Sequence, residues 1–232
     1  IKLYLTVKFL GNDKTKKFRD YALEGLISIA PDSCKIAKEI KESFKVKQLS
    51  GSNITSLLSV SGFSNLEQLQ INDTNISTVT DLSRLKKLKK LVFVNNSELK
   101  NLSGIVGLNN LEALAFKNCN QLSDLNYISG FDKLSVLQIN ECGITSTLGL
   151  KDLPVLKSIN FNNNNNLEDI TEIGQISSLK NVTLSGCQNI KSLDSLTKLS
   201  NLLFLRVDKH NLETLEGISS LIKPLMEGLR KE

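Results

Sequence analysis

The stretch LEALAFKNCNQLSDLNYISGFDK, residues 111–133, shows the pattern that governs most of this 232-residue chain. Its opening has apolar residues spaced as Leu-x-x-Leu-x-Leu, and this spacing recurs in seven copies separated by steps of 22, 23, 23, 22, 23 and 23 residues. Self-similarity at this period predicts a solenoid, in which each copy forms one coil of a stack. The first leucines of the copies are Leu66, Leu88, Leu111, Leu134, Leu156, Leu179 and Leu202.

Within one coil, Leu111, Leu114 and Phe116 alternate as in a short strand with one buried face. The later apolar residues recur at every third position, which favours a 3₁₀ or irregular turn over a long α-helix. Each strand returns to the same place one coil later, so the strands should pair in parallel about 4.8 Å apart. All framework positions of the seven coils hold Leu, Ile, Val or Phe except Thr147, which predicts one continuous aliphatic core.

A ladder of small polar or thiol side chains follows each strand, eight residues after the first leucine. The chain leaves the strand there, and its backbone groups need buried partners, which Asn supplies fully and Cys or Thr in part. Three of the four cysteines are therefore expected to be reduced core thiols, with a disulfide or metal pair at Cys119 and Cys142 as the alternative. The ladder residues are Thr74, Asn96, Cys119, Cys142, Asn164, Cys187 and His210.

Over residues 44–223 the pattern resembles leucine-rich-repeat proteins. The unit LEQLQINDTNISTVTDLSRLKK, residues 66–87, is similar to units of two groups, the regulatory-subunit family of type-1 protein phosphatase and the bacterial internalins. Units of 23 residues, such as residues 179–201, carry one extra residue after the Asn/Cys position, and cysteine there departs from the asparagine usual in internalins. The resemblance implies an α/β fold: a right-handed solenoid with a curved parallel sheet on its concave face and a 3₁₀ or irregular convex side.

The ends of the stack need covers, because a solenoid otherwise exposes its core. Residues 1–43 are predicted to form an N-terminal cap, with a possible strand and helices over 15–29 and 32–44. Residues 44–65 are predicted to form a degenerate capping repeat, residues 66–221 the seven repeats, and residues 222–232 a C-terminal helical cap. The alternative is a fragment whose repeats continue beyond residue 232.

Composition and motifs favour a binding protein over an enzyme. The single histidine, His210, falls on the ladder and is expected to be structural, and no metal, phosphate or dinucleotide motif is present. We therefore predict no catalytic activity, cofactor or metal. No apolar run reaches the roughly 18 residues of a membrane span, and no signal peptide is visible, although the chain begins at Ile1 and a leader could have been removed.

The net charge of +5 comes from the N-terminal end, where residues 1–50 hold eleven Lys or Arg against six Asp or Glu. A basic cap of this size indicates solubility first, with an anionic partner as the minority interpretation. The densest basic run, residues 84–90, is expected to ring one edge of the stack, with an acidic contact as its alternative. No aromatic residues interleave these charges, so no nucleic-acid binding is predicted.

Strand alternation places the residues two, four, six and seven positions after each first leucine on the outward face of the sheet. Apolar residues cluster there on three successive strands, and an aromatic and an arginine, common hot-spot residues, occur near the C-terminal end. The alternative is that these positions merely hold residues compatible with a strand. The predicted partner-binding residues are Val92, Val94, Ala113, Ala115, Val136, Gln138, Asn160, Phe204 and Arg206.

The predicted function is non-catalytic recognition of a protein through the concave face, by a chain expected to be monomeric. One alternative is a secreted or surface adhesion module of the internalin type that binds a host receptor, and another is a structural spacer in a larger protein. Phosphatase regulators tend to carry acidic and aromatic residues on this face, which are scarce here. Reduced ladder cysteines favour the cytoplasm, with the extracellular space or cell surface as the alternative.

Overall fold

The strands of the chain form one sheet in which spatial order follows chain order. The computed structural model describes residues 4–6, 48–52, 57–208 and 211–213. β2 to β9 pair in parallel, and β1 is antiparallel to β2. The described strands are β1 Tyr4–Thr6, β2 Gln48–Ser52, β3 Gln68–Asn72, β4 Lys90–Val94, β5 Ala113–Lys117, β6 Val136–Asn140, β7 Ser158–Asn160, β8 Asn181–Thr183 and β9 Phe204–Arg206.

The pairing register is the one that the repeat predicts. Leu114 lies opposite Leu137, and Leu137 lies opposite Ile159. A slip by one residue would turn every core side chain of a strand to the other face, so the apolar pattern fixes the register strongly. The predicted leucine-rich-repeat solenoid with its parallel sheet is confirmed.

One aliphatic core runs through the stack. In each of the six coils between Leu66 and Leu199, all seven framework positions are buried, including the polar exception Thr147. The two aromatic strand residues Phe93 and Phe116 stack with their ring centroids 5.4 Å apart and their planes 3° from parallel. Each coil can bury its apolar side chains only against the neighbouring coils. Equivalent residues of neighbouring coils therefore pack against each other along the stack.

The side of the stack opposite the sheet consists of short 3₁₀ helices and turns, as predicted. A four-residue α-helix, Leu58–Ser61, precedes β3. The coils that begin at Leu111 and Leu134 have no 3₁₀ helix within the described residues and use turns and isolated parallel bridges, such as Ser129–Lys151, instead. The 3₁₀ helices are Thr80–Arg84, Ser103–Ile105, Thr171–Gln175 and Asp194–Lys198.

After each of the strands β3 to β8 the chain passes through a residue with left-handed backbone geometry, seven positions after the first leucine. Asn and Asp tolerate this conformation better than most residues, and glycine adopts it freely. The Asn95 side chain donates to Asp73 Oδ1 at 2.8 Å, and the Asn118 side chain donates to Asn95 Oδ1 at 2.7 Å. The turn residues therefore also tie neighbouring coils together. They are Asp73, Asn95, Asn118, Glu141 and Asn163, with φ between 52° and 56°, and Gly186, with φ 74°.

Coils of 22 and 23 residues differ by one residue in the short segment between the ladder residue and the next core residue, which we call the joint. In the two shorter coils, Thr74 and Cys142 are followed two residues later by Ile76 and Ile144. In the longer coils the core residue comes three positions after the ladder residue, as Leu99 does after Asn96. The strand register stays unbroken across both lengths. The joint therefore absorbs the length difference.

Several predicted features lie outside the described residues. These are the helices over 15–29 and 32–44, the C-terminal helix over 222–232, Cys34 and His210. β2 lies in parallel register with β3, with Leu49 opposite Leu69. The boundaries of the caps and of the degenerate repeat stay predictions.

Candidate functional site

The outer sheet face, which we define as the side of β3–β9 opposite the core, carries the predicted partner-binding residues. The described part of the chain places no helix or second sheet over it. Strand alternation produces the face directly: in β4, Leu91 and Phe93 are buried while Lys90 is exposed and Val92 and Val94 are half-buried. The face is therefore a by-product of the same alternation that builds the core.

Five small apolar side chains form a continuous area on this face, which we call the apolar patch: Val92, Val94, Ala113, Ala115 and Val136. Val92 lies directly opposite Ala115, and Ala113 lies directly opposite Val136. All five are half-buried. Directly opposed residues of neighbouring strands approach closely enough for their side chains to touch. The patch thus crosses β4, β5 and β6 as a diagonal stripe.

Gln138 and Asn160 extend the face by one strand beyond the patch. They lie opposite each other on β6 and β7, with Gln138 exposed and Asn160 half-buried. The amide oxygens of Asn160 and Asn162 are enclosed and have no hydrogen-bond partner among the described residues. A buried acceptor without a partner costs free energy, so these two amides are poorly compensated in this conformation. From β7 to β8 the outward side chains are Ser, Thr and Asn.

Phe204 and Arg206 form a separate group on β9. They lie opposite Asn181 and Thr183 of β8, and Phe204 is 51% exposed. Three strand steps separate β9 from β6, so this group lies about 14 Å from the patch. Arg206 forms an ion pair with Asp208 at 2.9 Å, and its charge is therefore compensated locally. The predicted residues therefore lie in two separate areas of the outer sheet face.

Two lysines that were not among the predicted binding residues flank the patch. Lys90 is exposed on β4 opposite Ala113, and Lys117 is exposed on β5 opposite Val94. No acidic side chain pairs with either within residues 57–208. Their outward register could have revealed them from sequence. The two lysines were not included because the prediction selected apolar residues and the aromatic and arginine types common at hot spots.

The neighbouring lysines of the basic run at residues 84–90 make contacts between coils instead. Lys86 donates to the Gly107 carbonyl oxygen at 3.1 Å, and Lys87 donates to Asn65 Oδ1 at 2.7 Å. Lys89 pairs with Glu67 at 3.1 Å, and this hydrogen bond raises the pKa of Lys89. These cations stabilise the edge of the stack, which weakens the alternative of an acidic contact there.

The ladder residues bond the backbone as the sequence predicts. The Asn96 amide donates to the carbonyl oxygens of Ile71 and Val94, each at 3.0 Å. Asn164 donates to the Ile139 carbonyl oxygen at 2.6 Å and accepts from the Cys142 N–H at 2.9 Å. Each ladder asparagine therefore connects its own coil with the preceding one.

The ladder cysteines Cys119, Cys142 and Cys187 are free thiols in the core. The Cys187 Sγ lies 3.1 Å from the Phe161 carbonyl oxygen, and burial raises the pKa of Cys187 to about 11. A hydrogen bond with Cys119, and then burial, raises the pKa of Cys142. The same hydrogen bond lowers the pKa of Cys119. Protonated thiols are poor nucleophiles and poor metal ligands, so Cys142 and Cys187 act as small core residues with a weak donor.

The described residues contain no group of three His, Cys, Asp or Glu side chains that could hold a metal ion. Among the same residues, no helix is both long enough and apolar enough to cross a membrane. An open groove of about 490 Å³ at the C-terminal edge of the strands is lined mainly by amides, including Asn120, Asn163 and Asn166. Its lining includes no histidine or hydroxyl nucleophile.

No protein-family model and no curated protein matches the chain. Among solved structures, internalin C2 of Listeria monocytogenes is similar with a TM-score of 0.65 and 22% identity, over 87% of each chain. An internalin of the same organism, InlF, is similar with a TM-score of 0.63 and 20% identity, over 87% of this chain and 65% of that one.

A third similar structure is the plant peptide hormone receptor RGFR1 in complex with RGF2. Its TM-score is 0.54 and its identity 19%, over 75% of this chain and 30% of the receptor. At these identities the likeness concerns the fold. The chain is thus a leucine-rich-repeat solenoid that resembles the internalins.

Proposed function

We propose that the chain is a non-catalytic protein-recognition module that binds its partner through the outer sheet face. The observation that carries this proposal is the apolar patch, which is contiguous across three strands and is covered by nothing in the described part of the chain. Contiguous apolar surface of this kind is typical of contact sites. The similar plant receptor was solved as a peptide hormone receptor in complex with RGF2, which supports recognition by this fold.

In this proposal the patch is the anchor, and Gln138 and Asn160 extend it with polar groups. Small apolar side chains let a partner approach the sheet closely, and amides supply hydrogen bonds that fix its position. Phe204 and Arg206 form a second contact area that a partner longer than about 14 Å would reach. A smaller partner would use the patch alone.

A secreted or surface-exposed adhesion module is the second candidate, and the likeness to two Listeria internalins favours it. It uses the same outer sheet face, with a host receptor as partner. The free ladder thiols favour the cytoplasm instead. Detection of the native protein in culture supernatant or on the cell surface, compared with the cytoplasmic fraction, decides between the two locations.

The test of the face is affinity capture followed by titration of the purified partner. We expect Val94→Glu to abolish capture, because it places a charge in the patch, and Phe204→Ala to weaken it if the partner reaches β9. Val106→Glu is the matched control, since Val106 is an exposed apolar residue (55%) that lies outside the strands. Unchanged capture by both Val94→Glu and Phe204→Ala would contradict the proposal, and failure to capture any specific partner would favour a structural spacer.

A further inference from the structure

We propose that the apolar patch takes an acidic partner segment, a stretch of protein that presents small apolar side chains between two carboxylates that pair with Lys90 and Lys117. This inference rests on the proposed function of the outer sheet face and adds the chemistry of the partner. Both lysines face outward, in the same register rows as patch residues: Lys90 beside Ala113, and Lys117 beside Val94.

The two lysines lie at opposite corners of the patch. Lys90 is the first residue of β4 and Lys117 is the last residue of β5. The two lysines are therefore on adjacent strands and are offset by four residues along the strand direction. Strand geometry then places their Cα atoms about 14 Å apart. The opposed pair Val92 and Ala115 lies between them. An extended segment of about five residues would span this distance.

The charges of Lys90 and Lys117 are not used within residues 57–208. Two exposed carboxylates lie close in register: Glu112 precedes Ala113, the residue opposite Lys90, and Glu141 follows Asn140, the residue opposite Lys117. Glu112 acts on Lys89, whose pKa it helps to raise, and neither carboxylate forms an ion pair with Lys90 or Lys117. Neighbouring lysines have partners: Lys89 pairs with Glu67, and Lys87 donates to Asn65. The described outward side chains of β4 to β6 therefore carry two positive charges that form no ion pair with a described residue and lie beside apolar surface.

Charge complementarity favours a protein segment over the other anionic ligands. Nucleic acid binding uses a long basic track and aromatic residues that stack on bases, and the patch has neither. A membrane surface is recognised by clusters of at least four Lys or Arg, whereas Lys86, Lys87 and Lys89 of the basic run contact neighbouring coils and Lys90 and Lys117 flank the patch. Small apolar side chains between Lys90 and Lys117 match a peptide in which carboxylates flank residues such as Val or Ala. The charges would set orientation and association rate, and the apolar contact would set the lifetime of the complex.

The test uses a random peptide library displayed on phage and selected against the immobilised full chain. The wild-type chain should enrich peptides with Asp or Glu on either side of small apolar residues. The Lys90→Glu/Lys117→Glu chain should enrich Lys or Arg at those positions instead. The Lys100→Glu/Lys151→Glu chain is the matched control, because both lysines are exposed and lie outside the strands. It should select the same peptides as the wild type.

A synthetic peptide from the wild-type consensus should bind the Lys90→Glu/Lys117→Glu chain at least about tenfold more weakly, and its affinity for the wild type should fall with salt. Selections without acidic residues, no enrichment at all, or an unchanged consensus after charge reversal would overturn the inference. Val94→Glu separates the two proposals. If Val94→Glu abolishes peptide binding while charge reversal at Lys90 and Lys117 leaves it unchanged, only the acidic partner is contradicted. If Val94→Glu leaves peptide binding unchanged, the proposed binding face itself is contradicted.

Discussion

At the scale of single residues, the ladder position shows how one side chain can hold two coils together. Asn164 is fully buried and satisfies the Ile139 carbonyl oxygen and the Cys142 N–H at once. Where cysteine stands instead, one weak Sγ contact replaces the two amide bonds, as for Cys187 against Phe161. The cysteines therefore contribute mainly by filling volume, while the asparagines contribute by satisfying buried backbone groups.

Replacement of a ladder asparagine should destabilise the fold. Asn164→Ala leaves a buried carbonyl oxygen and a buried N–H without partners, so we expect the free energy of unfolding to fall by about 1–3 kcal/mol. Urea denaturation followed by circular dichroism measures the change. Asn166→Ala, an exposed neighbour, is the control and should stay within about 0.5 kcal/mol of the wild type. Equal effects of the two substitutions would contradict the ladder role.

The raised pKa of Cys187 should appear as a stability loss in alkali. The folded state holds the thiol proton more tightly than the unfolded chain does, so this stabilisation is complete below about pH 9 and declines as the pH rises towards 11. The measurement is the free energy of unfolding from pH 8 to pH 11, for the wild type and for Cys187→Ala. The variant should lose less stability over this range, and parallel curves would show that Cys187 does not titrate differently on folding.

At the scale of elements, the 3₁₀ helices stack so closely that some coils have room only for glycine. A methyl group at Gly104 would overlap the Val79 carbonyl oxygen, and one at Gly174 would overlap the Ser195 carbonyl oxygen. Backbone approach of this kind lets helices Thr171–Gln175 and Asp194–Lys198 lie directly on each other.

A side chain at such a position should be more harmful than one at a turn glycine. We expect Gly174→Ala to lower the free energy of unfolding by about 1–3 kcal/mol through overpacking. Gly130→Asn is the comparison: Gly130 has φ +68°, a methyl group added there would meet no atom within 4 Å, and Asn tolerates this conformation. Thermal unfolding of both variants measures the difference. A greater loss in Gly130→Asn would contradict close packing as the cause.

Elements also show where prediction from sequence ends. The strands and their register follow from apolar spacing, because a single misplaced residue would expose Leu114 or Leu137. Whether a coil forms a 3₁₀ helix does not follow, since residues with the same every-third-position spacing form a helix at Asp194–Lys198 and turns in the coil that begins at Leu111. The spacing of the apolar residues alone therefore does not distinguish the two.

At the scale of the whole molecule, the core and the proposed recognition surface use alternate residues of the same strands. Leu137 is completely buried, and its neighbour Gln138 is exposed on the outer sheet face. The outward rows could be read from the sequence, and so could the separation of the apolar cluster from Phe204 and Arg206, because each repeat supplies one strand. The role proposed for Lys90 and Lys117 could not, because it required knowing which lysines already have partners.

Substitutions at two adjacent strand positions should therefore have opposite consequences. Leu137→Ala opens a cavity in the middle of the stack and should cost about 2–5 kcal/mol of stability. Gln138→Ala should stay within about 0.5 kcal/mol of the wild type in stability and weaken binding of the captured partner. Urea denaturation and calorimetric titration measure the two properties. A large stability loss in Gln138→Ala would show that the outward row also holds the fold.

The joint after the ladder residue, where coils of 22 and 23 residues differ, has a consequence for how such a protein diversifies. A chain that already accommodates one additional residue there without disturbing strand pairing has a site at which longer insertions are tolerated. The joint lies at the C-terminal edge of the strands, so an inserted loop would overhang the end of the proposed binding surface. New specificity can thus arise through loop length, independently of any exchange of side chains on the sheet.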